Sequence, residues 1–198
     1  SAGVTDTHPP GWVPHLGLAV VAGDRPSIRE IRPAIFLDRD GTLIRDAGYI
    51  RNPDDVELLP HTANALRHVN NALWPAVVVT NQSGIARGLL TEPEYAGVRA
   101  RLDALLSERG VFVDATYHCP HHPDFTGPCD CRKPGIGLIQ QAMAELAVNP
   151  VLSLFVGDRW RDIAPAVHFG ARGILVPNAS TPQEDVERAR AELEVAST

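Results

Sequence analysis

The sequence predicts an α/β fold, a doubly wound parallel sheet with helices on both faces. Three observations predict it. Short apolar runs at residues 34–37, 76–79, 111–117, 152–156 and 173–176 alternate with amphipathic stretches, the order of strands that are each followed by a crossover helix. The runs are apolar at successive rather than alternate positions, as strands buried on both faces are. Two of them end in carboxylates, Asp38 with Asp40 and then Asp158, at the strand ends where open sheets of this kind bind ligands.

The chain's size and charge narrow this further. Its 198 residues, 44% hydrophobic and 21% charged, suffice for one well-buried domain and are too few for two large ones. The net charge of −6, with no Lys/Arg-rich block, argues against nucleic acid held through an extended phosphate-contacting surface. No apolar run approaches the roughly twenty residues of a membrane span, and no basic segment leads into a hydrophobic signal core. A cytoplasmic monomer acting on a small molecule is expected, without a membrane or nucleic-acid partner. Residues 1–33 carry Pro9, Pro10, Pro14, Pro26 and Pro33 and read as an extension that is partly disordered, above all in its first dozen residues. Within it, residues 18–21 could add an edge strand. The domain proper is expected over 34–198.

Each element has its own signal. After the first strand, residues 45–57 are polar and turn-rich, close enough to Asp38 to shape a substrate mouth. Ala63, Leu66, Val69 and Leu73 recur at helical spacing until Trp74-Pro75, where the helix should end. Residues 76–79 then deliver Thr80, Asn81, Gln82 and Ser83 to the same sheet edge. Thr91-Glu92-Pro93-Glu94 is a capping box, and Tyr95, Val98, Leu102, Leu105 and Leu106 form the apolar face of its helix. The third strand, 111–117, leads into a cysteine segment, and a helix over 136–146 follows, with Ile136, Ile139, Met143 and Leu146 on one stripe. After the fourth strand, Ile163, Ala164 and Val167 should face inward on a helix that Gly170 ends. Past the fifth strand, Thr181-Pro182-Gln183-Glu184 reads as a second capping box.

The chemistry centres on residues 34–44, AIFLDRDGTLI. A carboxylate such as Asp38, presented at a strand end, can attack phosphorus and split one displacement into two easier ones. Asp40 can protonate the leaving oxygen and later deprotonate water. Thr80 and the backbone amides beyond it can hold phosphoryl oxygens. Asp38, Asp40 and Asp158 make an oxygen-rich pocket that suits Mg²⁺, with Asp162 either supporting the site or serving as a helix N-terminal charge. Lys133 suits a point charge beside the transferred phosphoryl group, and Arg132 a planar fork for a second oxyanion. Every cysteine in the chain falls within Cys119-Pro120-His121-His122 and Cys129-Asp130-Cys131. Three thiolates and one imidazole close a structural Zn²⁺ shell. His118, His121 and His122 are all in reach, and His121 is chosen for its one-residue spacing from Cys119.

Together, LDRDGTLI, VVVTNQSGIARG, CPHHP with CDCRKP, and FVGD resemble the heptose bisphosphate phosphatases of the haloacid dehalogenase superfamily, with histidinol phosphatases as close neighbours. The resemblance covers about residues 34–176. It implies a fold without a large cap domain, a zinc loop at 119–131, and Mg²⁺-dependent removal of the 7-phosphate from a heptose 1,7-bisphosphate in nucleotide-activated heptose synthesis. Carried over by motif, Asp38 is the nucleophile, Asp40 the acid/base, Thr80 and Lys133 the phosphoryl holders, and Asp158 a magnesium ligand. Asp46, Gly48, Tyr49, Asn81, Gln82, Ser83 and Arg132 would contact the sugar bisphosphate. Two positions depart from the family pattern: Arg159 follows the fourth-motif aspartate where a lysine is usual, and Gly135-Ile136-Gly137 stands where a proline-glycine pair is usual. A histidinol-phosphate phosphatase, or a non-catalytic phosphosugar-binding protein of the same fold, is the alternative.

Overall fold

A computed structural model describes residues 31–196; the expected disorder of the first dozen residues and the edge strand at 18–21 lie outside them. The six strands are β1 (Ile35–Leu37), β2 (Ala76–Asn81), β3 (Ala115–Cys119), β4 (Leu154–Gly157), β5 (Arg172–Leu175) and β6 (Glu194–Val195). They form one sheet in the order β3-β2-β1-β4-β5-β6, and every pairing is parallel. The chain winds outward from β1 to β3, returns to the centre, and winds outward again from β4 to β6. The strand order therefore reverses between β1 and β4, and a crevice opens there beyond the strand ends.

The crossovers are α1 (Thr62–Asn71), α2 (Glu92–Ser107), the short α3 (Pro123–Thr126) with α4 (Gly137–Leu146), α5 (Trp160–Phe169) and α6 (Gln183–Glu192). Alternate strand residues feed two cores. Leu37, Ala76 and Val78 pack with Leu66 of α1 and Val98, Leu102 and Leu106 of α2. Phe36, Val77, Val79 and Phe155 pack with Leu138 and Ile139 of α4 and Ala166 of α5. The Phe36 and Phe155 rings stack at 4.8 Å. A sheet sealed on both faces explains why its strands are apolar at every position. Among the described residues, no helix is long and apolar enough to cross a membrane.

Local details differ from the sequence expectation where a polar group intervenes. β3 starts at Ala115, not Val111, because Asp114 closes off the strand: its carboxylate accepts from the Ala76 amide at 2.8 Å, and its own amide donates to the Ala76 carbonyl. Val111 still enters the core, but as loop. β3 consequently runs into Cys119. The Thr91 capping box is present, with Thr91 Oγ1 accepting from the Glu94 amide at 3.2 Å and Glu94 Oε2 accepting from the Thr91 amide at 2.7 Å. The one expected at Thr181 is absent, and α6 starts after Pro182 without a side-chain cap. The Thr181 hydroxyl instead donates to the Asp158 carbonyl. On α5 the inward stripe is Ile163, Pro165 and Ala166, while Val167 is exposed. Leu73 lies beyond the end of α1 and is also exposed. Strand β6 was unforeseen, being two residues long and anchored by an Arg172–Glu194 ion pair at 3.0 Å. Among the described residues, Arg32 bridges to Val148, two residues before Ala34.

Candidate active site

Sheet register assembles the site. Leu37 lies level with Val78 of β2 and Val156 of β4, so Asp38, Thr80 and Asp158 emerge at one edge from three adjacent strands. Asp38 N donates to the Val156 carbonyl at 3.0 Å, which ties the first residue of the loop to the neighbouring strand. The chain then reverses through Gly41 at φ +84°, a conformation that L side chains rarely adopt. A Cβ at Gly41 would also stand 2.5 Å from Asp158 Oδ2. The glycine is thus needed for the turn and for the approach of the β4 carboxylate.

Lys133 is buried among three acceptors. Its ammonium hydrogen-bonds Asp38 Oδ1 at 2.8 Å and the Val79 carbonyl, and forms an ion pair with Asp162 Oδ1 at 2.8 Å. Burial alone would lower the Lys133 pKa, but Asp162 and Asp38 outweigh it and hold the group above its ordinary value. Burial, and then the Asp162 charge, push the Asp38 carboxyl up against the opposing pull of Lys133. Asp158 is raised by burial and then by Asp38. Asn81 fixes the Lys133 backbone reciprocally: its amide donates to the Lys133 carbonyl at 3.1 Å and its Oδ1 accepts from the Lys133 amide at 2.9 Å. The side chain expected to touch substrate is spent on holding a cation.

Asp38, Asp158 and Asp162 offer carboxylate oxygens within 4.8 Å of one another. Lys133, Arg159 at 3.4 Å and Arg161 at 4.0 Å lie beside these carboxylates, and the converging oxygen donors are of the hard kind that fits Mg²⁺. Asp40 was expected in that set and is not in the cluster. Arg39 and Gln82 occupy its carboxylate: Arg39 Nη2 lies 2.9 Å from both oxygens and Gln82 Nε2 lies 2.9 Å from Oδ2. Asp162 lies in the cluster instead. Its Oδ2 accepts from the Arg159 amide at 3.0 Å, capping α5, while Oδ1 pairs with Lys133. Burial raises Asp40 against the pull of Arg39. Gln82 Nε2 also donates to Thr80 Oγ1 at 2.8 Å, bridging the two groups.

The structure brings Cys119, His121, Cys129 and Cys131 together as well. All six donor-atom pairs lie within 4.8 Å, and five of them lie 2.9 to 3.8 Å apart, at or inside the edge of about 3.8 Å that a tetrahedron with Zn–S of about 2.3 Å requires. Burial and the two neighbouring sulfurs push the Cys131 thiol up. Sulfurs this crowded can all ionise only around a cation, and the set fits Zn²⁺. His118 and His122 are engaged elsewhere, the first with Glu92 at 3.0 Å and the second capping α3 through Nδ1. Arg132 directly follows the last cysteine, and its Nη1 donates to the His121 carbonyl at 3.3 Å. Gly135 and Gly137 explain one departure from the family pattern, since a Cβ at either would meet the Asp130 carbonyl at 2.5 or 2.8 Å.

Around the mouth, Asp46 Oδ1 accepts from the Gly48 amide at 3.0 Å, which turns the chain toward Tyr49. The Tyr49 ring lies on Gly84, where a Cβ would come within 2.5 Å of it. Half-buried Ser83 begins the same loop, and its carbonyl accepts from the Arg87 amide. Sequence reasoning missed two residues. Asn178 donates to Asp158 Oδ2 at 2.9 Å and to the Gly41 carbonyl at 3.3 Å. Arg39, only 2% exposed, grips Asp40. Arg39 lies inside the DRDGT string, but nothing in the sequence showed that it would be buried against Tyr95; Asn178 lies in a turn-rich segment without a periodic or motif signal. Arg159, at the other departure, stands 3.4 Å from Asp158 Oδ2 and hydrogen-bonds the Ser180 carbonyl and hydroxyl.

The comparisons agree with this geometry. A family model described as HAD-hydrolase-like matches residues 130–197. The chain is 42% identical over 140 residues to the D-glycero-β-D-manno-heptose-1,7-bisphosphate 7-phosphatase of Yersinia pestis, covering 68% of this chain and 74% of that protein. It is 40% identical over 164 residues to the enzyme of that name from Photorhabdus laumondii, covering 79% and 87%. The crystal structure of the D,D-heptose 1,7-bisphosphate phosphatase from B. bronchiseptica, complexed with magnesium and phosphate, superposes with a TM-score of 0.73 at 30% identity, covering 83% of this chain and 92% of that one. The chain belongs to the D-glycero-β-D-manno-heptose-1,7-bisphosphate 7-phosphatase family of haloacid-dehalogenase-like phosphohydrolases.

Proposed function

We propose that this chain removes the 7-phosphate of D-glycero-D-manno-heptose 1,7-bisphosphate through a phosphoryl group carried on Asp38, in the cytoplasm and on the route to nucleotide-activated heptose. The observation that carries the reading is the separation of the two motif carboxylates. Asp38 sits with Lys133 and the acidic cluster, whereas Asp40 is held by Arg39 and Gln82. This separation supports attack by the first and proton transfer by the second.

An Asp38 oxygen attacks phosphorus, and the ester bond to the sugar oxygen breaks as the Asp40 carboxyl delivers its proton there. Burial raises the Asp40 pKa against the pull of Arg39, the direction that suits a proton donor. Water then attacks the aspartyl phosphate while Asp40 takes the water's proton. The bond between phosphorus and Asp38 breaks, releasing orthophosphate and restoring the carboxylate. Asp38 and Asp158, with Asp162 beside them, would hold Mg²⁺, which would supply charge that neutralises the phosphoryl group and the carboxylates. Lys133 adds a fixed positive charge at the nucleophile, and Thr80, whose oxygen already accepts from Gln82, keeps its own proton for a phosphoryl oxygen. Arg132 faces the second phosphate, and residues 46–49 with Ser83 contact the sugar. Zn²⁺ in the cysteine loop is structural.

The test is phosphorus NMR of both heptose 1,7-bisphosphate anomers and of histidinol phosphate during turnover. The expected result is loss of the 7-phosphate resonance with the 1-phosphate intact, faster than histidinol phosphate is consumed. Asp38→Asn, an isosteric but poor nucleophile, should abolish turnover with an unchanged circular dichroism spectrum. Release of the 1-phosphate, a preference for histidinol phosphate, or parental activity in Asp38→Asn would overturn the proposal.

A further inference from the structure

Arg39 stands between the two motif aspartates and is 2% exposed, a burial that arginine rarely accepts unless it is paired. Its Nε lies 3.1 and 3.2 Å from the two Asp40 oxygens, and its Nη2 lies 2.9 Å from each. This is a planar fork against a carboxylate, the geometry that fixes orientation as well as distance. The guanidinium carbon in turn lies 5.6 Å from the centre of the Tyr95 ring, and Tyr95, 3% exposed, belongs to the apolar face of α2. The fork is therefore backed by a rigid element, not by a loop. Gln82 approaches one of the same Asp40 oxygens at 2.9 Å, so the carboxylate is oriented from two directions.

We infer that Arg39 is a positioning residue for the acid/base step, aiming the Asp40 carboxyl at the leaving oxygen from a seat on Tyr95. This rests on the reading of Asp40 as the proton donor. Arg39 itself transfers nothing: the proton passes from Asp40 to the sugar oxygen as that oxygen leaves phosphorus. A misaimed acid penalises substrates according to their need for one. An alkoxide leaving group needs the proton, and a nitrophenolate leaves almost as well without it.

The experiment measures kcat/KM, which reports the steps up to phosphoryl transfer to Asp38, for a series of phosphate monoesters from alkyl to p-nitrophenyl. The variants are Arg39→Gln, Arg39→Lys, Asp40→Asn and the Arg39→Gln/Asp40→Asn pair. General acid catalysis contributes about 10²–10⁴-fold. Arg39→Gln should accordingly lose about tenfold to a hundredfold more on alkyl than on p-nitrophenyl phosphate, steepening the dependence on leaving-group basicity. Arg39→Lys, which keeps the charge but not the fork, should recover only part of the loss. In the Asp40→Asn background, Arg39→Gln should cost nothing further. Thermal melting separates misfolding from misplacement, because misfolding lowers all substrates by one factor. Equal losses across the series, faster turnover in Arg39→Gln, or additive losses in the pair would each overturn the inference. If Asp40→Asn itself fails to steepen the series, the acid/base reading of Asp40 falls instead.

Discussion

Gly41 shows how much one residue of the DRDGT string carries. Its φ of +84° would cost an alanine about 1–2 kcal/mol. In addition, a Cβ there would lie 2.5 Å from Asp158 Oδ2 and 3.0 Å from Asn178 Nδ2. Gly41→Ala should therefore lower the melting temperature and also displace Asp158, the proposed magnesium ligand, raising the Mg²⁺ concentration for half-maximal activity by at least about tenfold, equivalent to about 1.4 kcal/mol. Gly110, with φ +66° and nothing within 4 Å of a Cβ, is the control: Gly110→Ala should show the strain without the change in Mg²⁺ dependence. Identical Mg²⁺ curves for the two variants would mean that Gly41 serves the turn alone. The same string shows what a sequence discloses at this scale. Asp38, Thr80, Lys133 and the cysteines each lie in a short motif at a recognisable strand end or spacing. Arg39 and Asn178 become functional only through partners distant in sequence or in another element, Tyr95 for one and Asp158 for the other.

Among the elements, the cysteine loop, the proposed zinc site, leads directly into Arg132 and Lys133. β3 ends on Cys119, the loop returns through Cys129 and Cys131, and the next two residues are the cations. Lys133 has a second anchor, since Asn81 of β2 holds its backbone on both sides. Arg132 has only the His121 carbonyl for its side chain among the described residues. Cys129→Ser should therefore release zinc and misplace Arg132 more than Lys133. A displacement of about 1 Å can cost on the order of a hundredfold in rate, so turnover of bisphosphate should fall by up to that factor, with p-nitrophenyl phosphate less affected and added Mg²⁺ giving no recovery. Zinc content, circular dichroism and both activities decide it; a zinc-free variant with parental bisphosphate activity would remove the loop from any role in the site. Periodicity disclosed the helices here better than the strand ends. The apolar faces of α2 and α4 are repeated over several turns, whereas the start of β3 is fixed by a single hydrogen-bonded pair between Asp114 and Ala76. The Thr181 hydroxyl was claimed by the Asp158 carbonyl instead of its own helix, a competition that only the assembled sheet creates.

For the whole molecule, the reversal of strand order between β1 and β4 gathers the carboxylates, and that gathering has a consequence for stability. Asp38 and Asp158 bind protons more tightly in the folded protein than in the unfolded chain, burial being the first cause for each. Between the unfolded carboxylate value of about 4 and their raised folded values, the folded state holds the extra protons. Their contribution to stability therefore falls as pH rises through that window. Lys133, held up by Asp162 and Asp38, acts in the same sense but at the other end of the scale. Its contribution is complete below about 10.4 and lost only above it. A divalent cation binding the ionised cluster offsets the carboxylate penalty, and protons compete with it at low pH. Magnesium should thus raise the melting temperature more at about pH 7.5 than at about pH 5. At a hundredfold excess over Kd the gain is about 2.7 kcal/mol, and at about 2–4 °C per kcal/mol for a chain of this size the shift is about 5–10 °C. Asp158→Asn, which removes one of the raised carboxyls while keeping its shape, should flatten both the decline of the metal-free protein with pH and the magnesium shift. The measurement is a set of thermal melts of zinc-replete parent and variant, with and without Mg²⁺, at the two pH values. Equal magnesium shifts at both, or a variant indistinguishable from the parent, would show that the cluster at the sheet edge does not bind the cation as a unit.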